Sequence, residues 1–419
     1  MLGLDPLTAM SQAKEKPSSK ALGEFLGGYV SSIQSGGNVI NYLKSKMNSA
    51  YESHENAQKQ SIEKISGIVH GWLSMQIVVL ALFIMISAMG SGGISGSTTT
   101  STDTGYQNYL LLVAPILSVV FLKLVQNMHV SNINELEIKK ILRYAIPSVL
   151  IAVILVSTNV LSSINGNAYL VGGALIVASI WPALKFKKFY TLNIDAEAAT
   201  PEILRDITEA RKAGIGPEKC VVRACKRKDF HSFTPVANAV SNKLEWGLPL
   251  KDIFNVLQKD IKNFQVLISF RILFEIISSG GGNVNTLDAL SNTSDKMHTV
   301  ELHKREMLKP YVMVGFMVMA ITAFTTLLVI SSFEDINEQK NLTGKTNEQD
   351  EVRAASLMQA VSISIVVQSW LAGLFIGKIT TGAYSGGFMH SIFLIVISFV
   401  GIGIVQSGMI SVSSILGTS

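Results

Sequence analysis

The side chains best suited to chemistry in this sequence are two cysteines and three histidines between residues 185 and 309. Cys220 and Cys225 lie five residues apart. They give neither a disulfide framework nor a metal-ligand set, and read as reduced thiols on a helix face. His231 stands alone. His298 and His303 are also five apart, whereas two metal ligands on one helix face need a spacing of about four. No metal site and no cofactor are therefore expected. No phosphate loop follows a strand. The glycine-rich run GSGGISG at 90–96 follows a long apolar block and reads as a linker. Without a nucleophile elbow, a kinase set or paired catalytic acids, we expect no catalytic residue and no enzyme. What remains is the basic run Lys226-Arg227-Lys228 with Arg223. It suits a partner or phospholipid patch, and equally a solvated helix end complementing the helix dipole.

The elements that must position these residues are dominated by apolar blocks. Only 16% of the 419 residues are charged, against roughly 25% in a soluble domain. Blocks of about 16–21 apolar residues are long enough to cross a hydrocarbon core, and seven such spans are expected. Four fall within 73–184, at Leu73–Gly90, Tyr109–Val125, Ala145–Ser162 and Ala168–Leu184. The fifth occupies 310–330, from Tyr311 to Ile330. The last two occupy 357–410, at Leu357–Gly377 and His390–Ile410. Ser163–Asn167 joins the third and fourth as a tight turn.

Charge sets the expected orientation. With the N-terminus inside, the outer loops 91–108 and 163–167 carry no Lys or Arg, and the acidic outer loop 331–356 carries three, leaving 32 of 35 inside. The tail 411–419 is then external, and the protein sits in the plasma membrane. Asn341-Leu342-Thr343 in the outer loop is a glycosylation acceptor sequence, which makes Asn341 a candidate site for modification. The span interiors hold no Asp, Glu or Arg, and Lys123 lies near an inner end, which argues against an ion-coupled transporter. Gly373-x-x-x-Gly377 is a close-packing motif for a partner helix in this chain or another. Residues 1–20 lack the apolar core of a signal peptide, so the first span is expected to drive insertion.

Residues 185–309 carry 20 Lys and Arg against 15 Asp and Glu, and their apolar spacing is helical. A helix is expected to start at Thr200-Pro201 and end at Gly214, with others over Pro217–Lys228, around Pro235 to Gly247, Pro249–Lys262 and Phe264–Ser279. A sixth follows Gly280-Gly281-Gly282, starts near Val284 and runs through Pro310 into the fifth span. The fold class is thus all-α: a polytopic membrane protein with a cytoplasmic six-helix bundle. Residues 1–72 echo it. Gly3-Leu4 matches Gly247-Leu248 and Ser35-Gly36-Gly37 matches Ser279-Gly280-Gly281, both at an offset of 244, and Asn38-Val39 matches Asn283-Val284 after a one-residue insertion. The first copy is partial, and we expect either an upstream start or another subunit to complete it.

These features resemble the F domain of type II secretion systems. They are the helix ending Lys212-Ala213-Gly214, then Trp246-Gly247-Leu248-Pro249-Leu250, then Ser278-Ser279-Gly280-Gly281-Gly282, and the charged stretch Glu301–Lys309 before Pro310. Pro17-Ser18-Ser19, Phe25-Leu26 and Ser35-Gly36-Gly37 look like half of another copy. Gly36, Gly37, Gly247, Pro249, Gly280, Gly281 and Gly282 would then form the turns of the domain. The arrangement is most similar to the archaeal branch, the membrane platform of type IV pili and archaella. The resemblance implies a non-catalytic platform whose partners are a cytoplasmic hexameric secretion ATPase, pilin-like filament subunits and membrane lipid. It implies a homo-oligomer, dimer or higher, and no nucleic-acid role. Arg223, Lys226, Arg227, Lys228, Lys304 and Arg305 become the candidate docking residues for the ATPase. The competing expectations are a passive channel or small-solute transporter, and a membrane scaffold for another cytosolic complex.

Overall fold

The computed structural model describes residues 5–91 other than 16 and 18, then 103–126, 167–280, 282–342 and 348–406. These form twelve α-helices: α1 (Pro6–Glu15), α2 (Lys20–Gln34), α3 (Val39–Ser91), α4 (Asp103–Gln126), α5 (Asn167–Lys212), α6 (Pro217–Arg227), α7 (Thr234–Glu245), α8 (Leu250–Asp260), α9 (Phe264–Ser278), α10 (Val284–Leu342), α11 (Glu348–Thr381) and α12 (Gly387–Gln406). The chain divides into two compact units, Met1–Ser61 and Ile62–Ser419.

Five helical stretches are long and apolar enough to cross a membrane: Val39–Met85, Ala168–Lys212, Val284–Leu328, Val361–Thr381 and Tyr384–Ile404. The chain is a multi-pass membrane protein. These stretches contain or largely overlap the first, fourth, fifth, sixth and seventh expected spans. The second expected span lies in α4, where the described apolar stretch is the shorter Val113–Val125. The third, the 163–166 part of the hairpin turn, Gly281 and the 407–419 tail lie outside the described residues. The expected loop at 331–356 is helical where described, because α10 continues to Leu342 and α11 begins at Glu348. Asn341 is in the last turn of α10.

The small-residue motif of α11 finds its partner within the chain. A Cβ at Gly373 would collide with the backbone of Ser391, and one at Gly377 with Gly387. The start of α12 therefore rests directly on α11, as small residues allow in lipid. Polar side chains tie the same contact: Ser391 donates to the Trp370 carbonyl at 2.7 Å, and the Ser369 and Ser398 hydroxyls meet at 2.6 Å. Fully buried Trp72 of α3 packs on Phe375 of α11 at 4.7 Å between ring centroids.

The second half of α5, the first part of α10, and α6–α9 enclose a separate apolar core that includes Ile203, Cys220, Phe233, Leu257, Phe270 and Leu273. Local chemistry sets the joints. Pro217 opens α6. Gly247, at φ +73°, ends α7 while the Leu248 amide returns to the Lys243 carbonyl at 3.1 Å. Pro249 then precedes α8. One expectation fails here. Thr200-Pro201 does not start a helix, because α5 runs unbroken from Asn167 to Lys212 with Pro182 and Pro201 inside it. The missing Pro201 amide removes one helical bond, and packing on the buried core face carries the helix across the gap.

In the unit Met1–Ser61, Ser19 caps α2 by accepting the Leu22 amide at 3.2 Å. Gly36 turns the chain at φ +66°, and the Asn38 side chain caps α3 by accepting the Asn41 amide at 3.1 Å. In the other unit the same local sequence recurs. Gly280 and Gly282 have φ +131° and +67°, and the Asn283 side chain accepts the Asn285 amide at 3.0 Å before α10. Each glycine turn leads through an asparagine cap into a helix of 53 or 59 residues that contains a candidate span.

Candidate functional site

The polar residues that the fold brings together lie where α5 crosses α10, at the root of the bundle. The buried stripe of α5 runs through Asn193, Ala196, Glu197, Thr200, Ile203 and Leu204, the three- and four-residue spacing of one helix face. Glu197 is the charge on that stripe and is 2% exposed. Its carboxylate accepts the Asn263 amide at 2.7 Å and one guanidinium nitrogen of Arg305 at 2.9 and 3.0 Å. His298 Nδ1 stands 3.6 Å from Oε1, beyond hydrogen-bond length but close enough for charge to act. Arg305 and His298 belong to α10. Asn263 is the N-cap of α9, and its side-chain oxygen also holds the Gln265 amide at 2.9 Å. One carboxylate therefore joins three helices.

Burial alone would push the Glu197 carboxyl up. The His298 imidazole, the Arg305 charge and the Asn263 amide together outweigh it and hold the group below the ordinary carboxylate range. Asn193, one turn earlier, accepts the Lys262 amide at 2.8 Å and so fixes the loop before α9. On α10, Lys304 is 2% exposed with its amine 3.6 Å from Glu301. Burial lowers its pKa, with Glu301 opposing the shift. Both carboxylate oxygens of Glu197 are already held by donors, so the arrangement is suited to clamping helices rather than to accepting a proton from a substrate.

The structure separates the six basic residues predicted as docking groups. Arg223, Lys226 and Arg227 are exposed on α6, with Lys228 exposed just past its end. Lys226 pairs with Glu245 of α7 at 2.7 Å, Lys228 with Glu202 of α5 at 2.9 Å, and Arg227 with Asp206 of α5. This stretch therefore presents mixed charge. Lys304 is in the interior, and Arg305 belongs to the clamp. Cys220 and Cys225 both face the core, and burial pushes the Cys225 thiol up to about 12. Among the described residues no group of three or more His, Cys, Asp or Glu could hold a metal ion.

Glu197, Asn193 and Asn263 belong to no motif in the sequence. The signal for Glu197 was present: of the two acids in Asp195-Ala196-Glu197-Ala198-Ala199, Glu197 is the one that falls on the apolar stripe, where an unpaired charge would be costly. No protein-family model, curated protein or solved structure matches this chain.

Proposed function

We propose that the chain is a non-catalytic membrane platform for assembly of an archaeal type IV pilus or archaellum-like filament, coupling a cytoplasmic hexameric secretion ATPase to pilin-like subunits. The observation that carries this reading is the twice-used device of a glycine turn, an asparagine cap and one unbroken helix into a candidate span. In the Ile62–Ser419 unit that helix, α10, is locked to α5 by Glu197, and α5 also continues into a candidate span. A push on the bundle would reach the membrane through two stiff rods. The reading includes seven spans, a cytoplasmic bundle and N-terminus, an external C-terminus and a homo-oligomeric assembly. The exposed basic residues Arg223, Lys226, Arg227 and Lys228 form the docking face it favours for the ATPase.

The test is purification of the tagged full chain in mild detergent from cells making filaments, with partners identified by mass spectrometry. Recovery of a secretion-type ATPase with pilin-like subunits supports the platform. A well-folded preparation that brings down neither removes it.

A further inference from the structure

A small cavity lies between the candidate spans of α3, α10 and α11, with Ala114 of α4 also lining it. Its walls are mostly apolar, with Phe83 and Ile365 among them, but two glutamines line it as well. Gln76 of α3 and Gln368 of α11 are 1% and 6% exposed. The Gln368 amide donates to the Gln76 carbonyl oxygen at 2.6 Å. That bond leaves the Gln76 Nε2 donor and the Gln368 Oε1 acceptor with no protein partner. Turning both amides over exchanges the roles and changes nothing, since one NH₂ group and one carbonyl oxygen still remain. In hydrocarbon such groups are expensive to leave unsatisfied.

The cavity supplies room and further partners. Its volume is about 60 Å³, space for about two water molecules at roughly 30 Å³ each, and each needs two to four polar neighbours. Thr322 and Thr326 of α10 also line it. Their hydroxyls donate to the carbonyls of Val318 at 2.8 Å and Thr322 at 2.7 Å, so their oxygen lone pairs remain able to accept. A lipid tail could fill the space but would satisfy none of these groups.

We propose that this cavity is a built water-binding site inside the membrane, with water bridging Gln76, Gln368 and the two threonine hydroxyls. The α3–α11 contact is then a wet joint. Amide–water bonds exchange more readily than a dry amide pair, so the two helices can shift against each other without stranding a buried polar group. The inference does not depend on the platform reading.

The experiment is proton-detected solid-state NMR on the full chain, ¹⁵N-labelled at glutamine, in lipid vesicles. The pair identifies itself in the native protein by a cross peak between two glutamine side-chain amides. Expected are water cross peaks to both amides, and loss of at least half of each signal on transfer to D₂O while backbone amides of α11 persist. Gln368→Met removes the pair cross peak and leaves both ends of the Gln76 amide to water, so the Gln76 water cross peak should persist. Thr322→Val, a near-isosteric change that keeps the pair, should weaken it about twofold. Amides that see no water, or that show cross peaks to acyl-chain protons instead, would overturn the proposal.

Discussion

Replacing Arg305 by alanine tests the clamp most directly, because it strands the carboxylate rather than the guanidinium. Removing one partner of a buried pair typically costs ~3–5 kcal/mol. Glu197 would keep the Asn263 amide at 2.7 Å, and a hydrogen bond to a charged group contributes about 1.5–3 kcal/mol, so about 3 kcal/mol is expected. Glu197→Ala should cost less, about 1–3 kcal/mol for the buried Asn263 amide that it strands, because the Arg305 side chain is 23% exposed and can turn to water. The double change Glu197→Leu with Arg305→Met removes both charges and should recover most of the loss. Lys228→Ala, which breaks an exposed pair, should cost under ~0.5 kcal/mol.

Hydrogen exchange of α9 backbone amides in the full chain reports these differences, since α9 is capped by the residue that holds Glu197. A loss of about 3 kcal/mol speeds exchange roughly 100-fold, at a factor of ten per ~1.4 kcal/mol. The reasoning is refuted if Arg305→Ala exchanges no faster than Lys228→Ala, or if Glu197→Ala is the worse of the two single changes.

The clamp also gives a pH signature. The folded-state pKa of Glu197 is held down, so its contribution is present above the ordinary glutamate value of about 4.3 and is lost as pH falls through the folded value. The acid melt of the native protein should therefore be steeper below about pH 4.3 than that of Glu197→Gln. At pH 8 neither cysteine should react with a maleimide in the folded protein, because both are buried and the Cys225 thiol is pushed up to about 12, whereas both should react after denaturation. Gly377→Leu should cost more than the ~1–3 kcal/mol of ordinary overpacking, since the clash is with backbone. Gly403→Ala, whose Cβ would meet Tyr169 at an ordinary 3.5 Å, should be nearly silent when thermal melting of both variants is measured in detergent.

How much was legible follows from where each signal lives. Span positions are local, summing hydropathy over some 20 residues, so all five candidate spans overlap blocks readable in the sequence. Glycine turns are local too: Gly36, Gly247, Gly280 and Gly282 adopt the positive φ that their context required. Pro201 misled because proline is common both at helix starts and, less often, inside long helices, and only the packing of the face bearing Ala196, Ile203 and Leu204 decides between them. The clamp was illegible because Glu197, Asn263 and Arg305 are 66 and 108 residues apart, with nothing in their spacing to pair them. Gln76 and Gln368 stand 292 residues apart and were hidden for the same reason.

The place of the clamp along α5 has a physical reason that can be tested. Proline has no amide proton, so Pro201 leaves the backbone carbonyl of residue 197 without its helical donor. The side chain of that same residue is tied to α9 and α10, and the Thr200 hydroxyl adds a bond to the Ala196 carbonyl at 2.6 Å. A turn of the rod weakened by proline is thus also held from outside. If the two features compensate each other, Pro201→Ala should help little in the native protein and more once Arg305→Ala has loosened the clamp. In a double-mutant cycle the expected coupling is about 0.5–3 kcal/mol, as for residues in one network. Effects of proline on the unfolded chain are common to both arms and cancel. Exchange rates along residues 193–205 measure the coupling, and strictly additive changes would mean that the proline and the clamp share a turn without sharing a role.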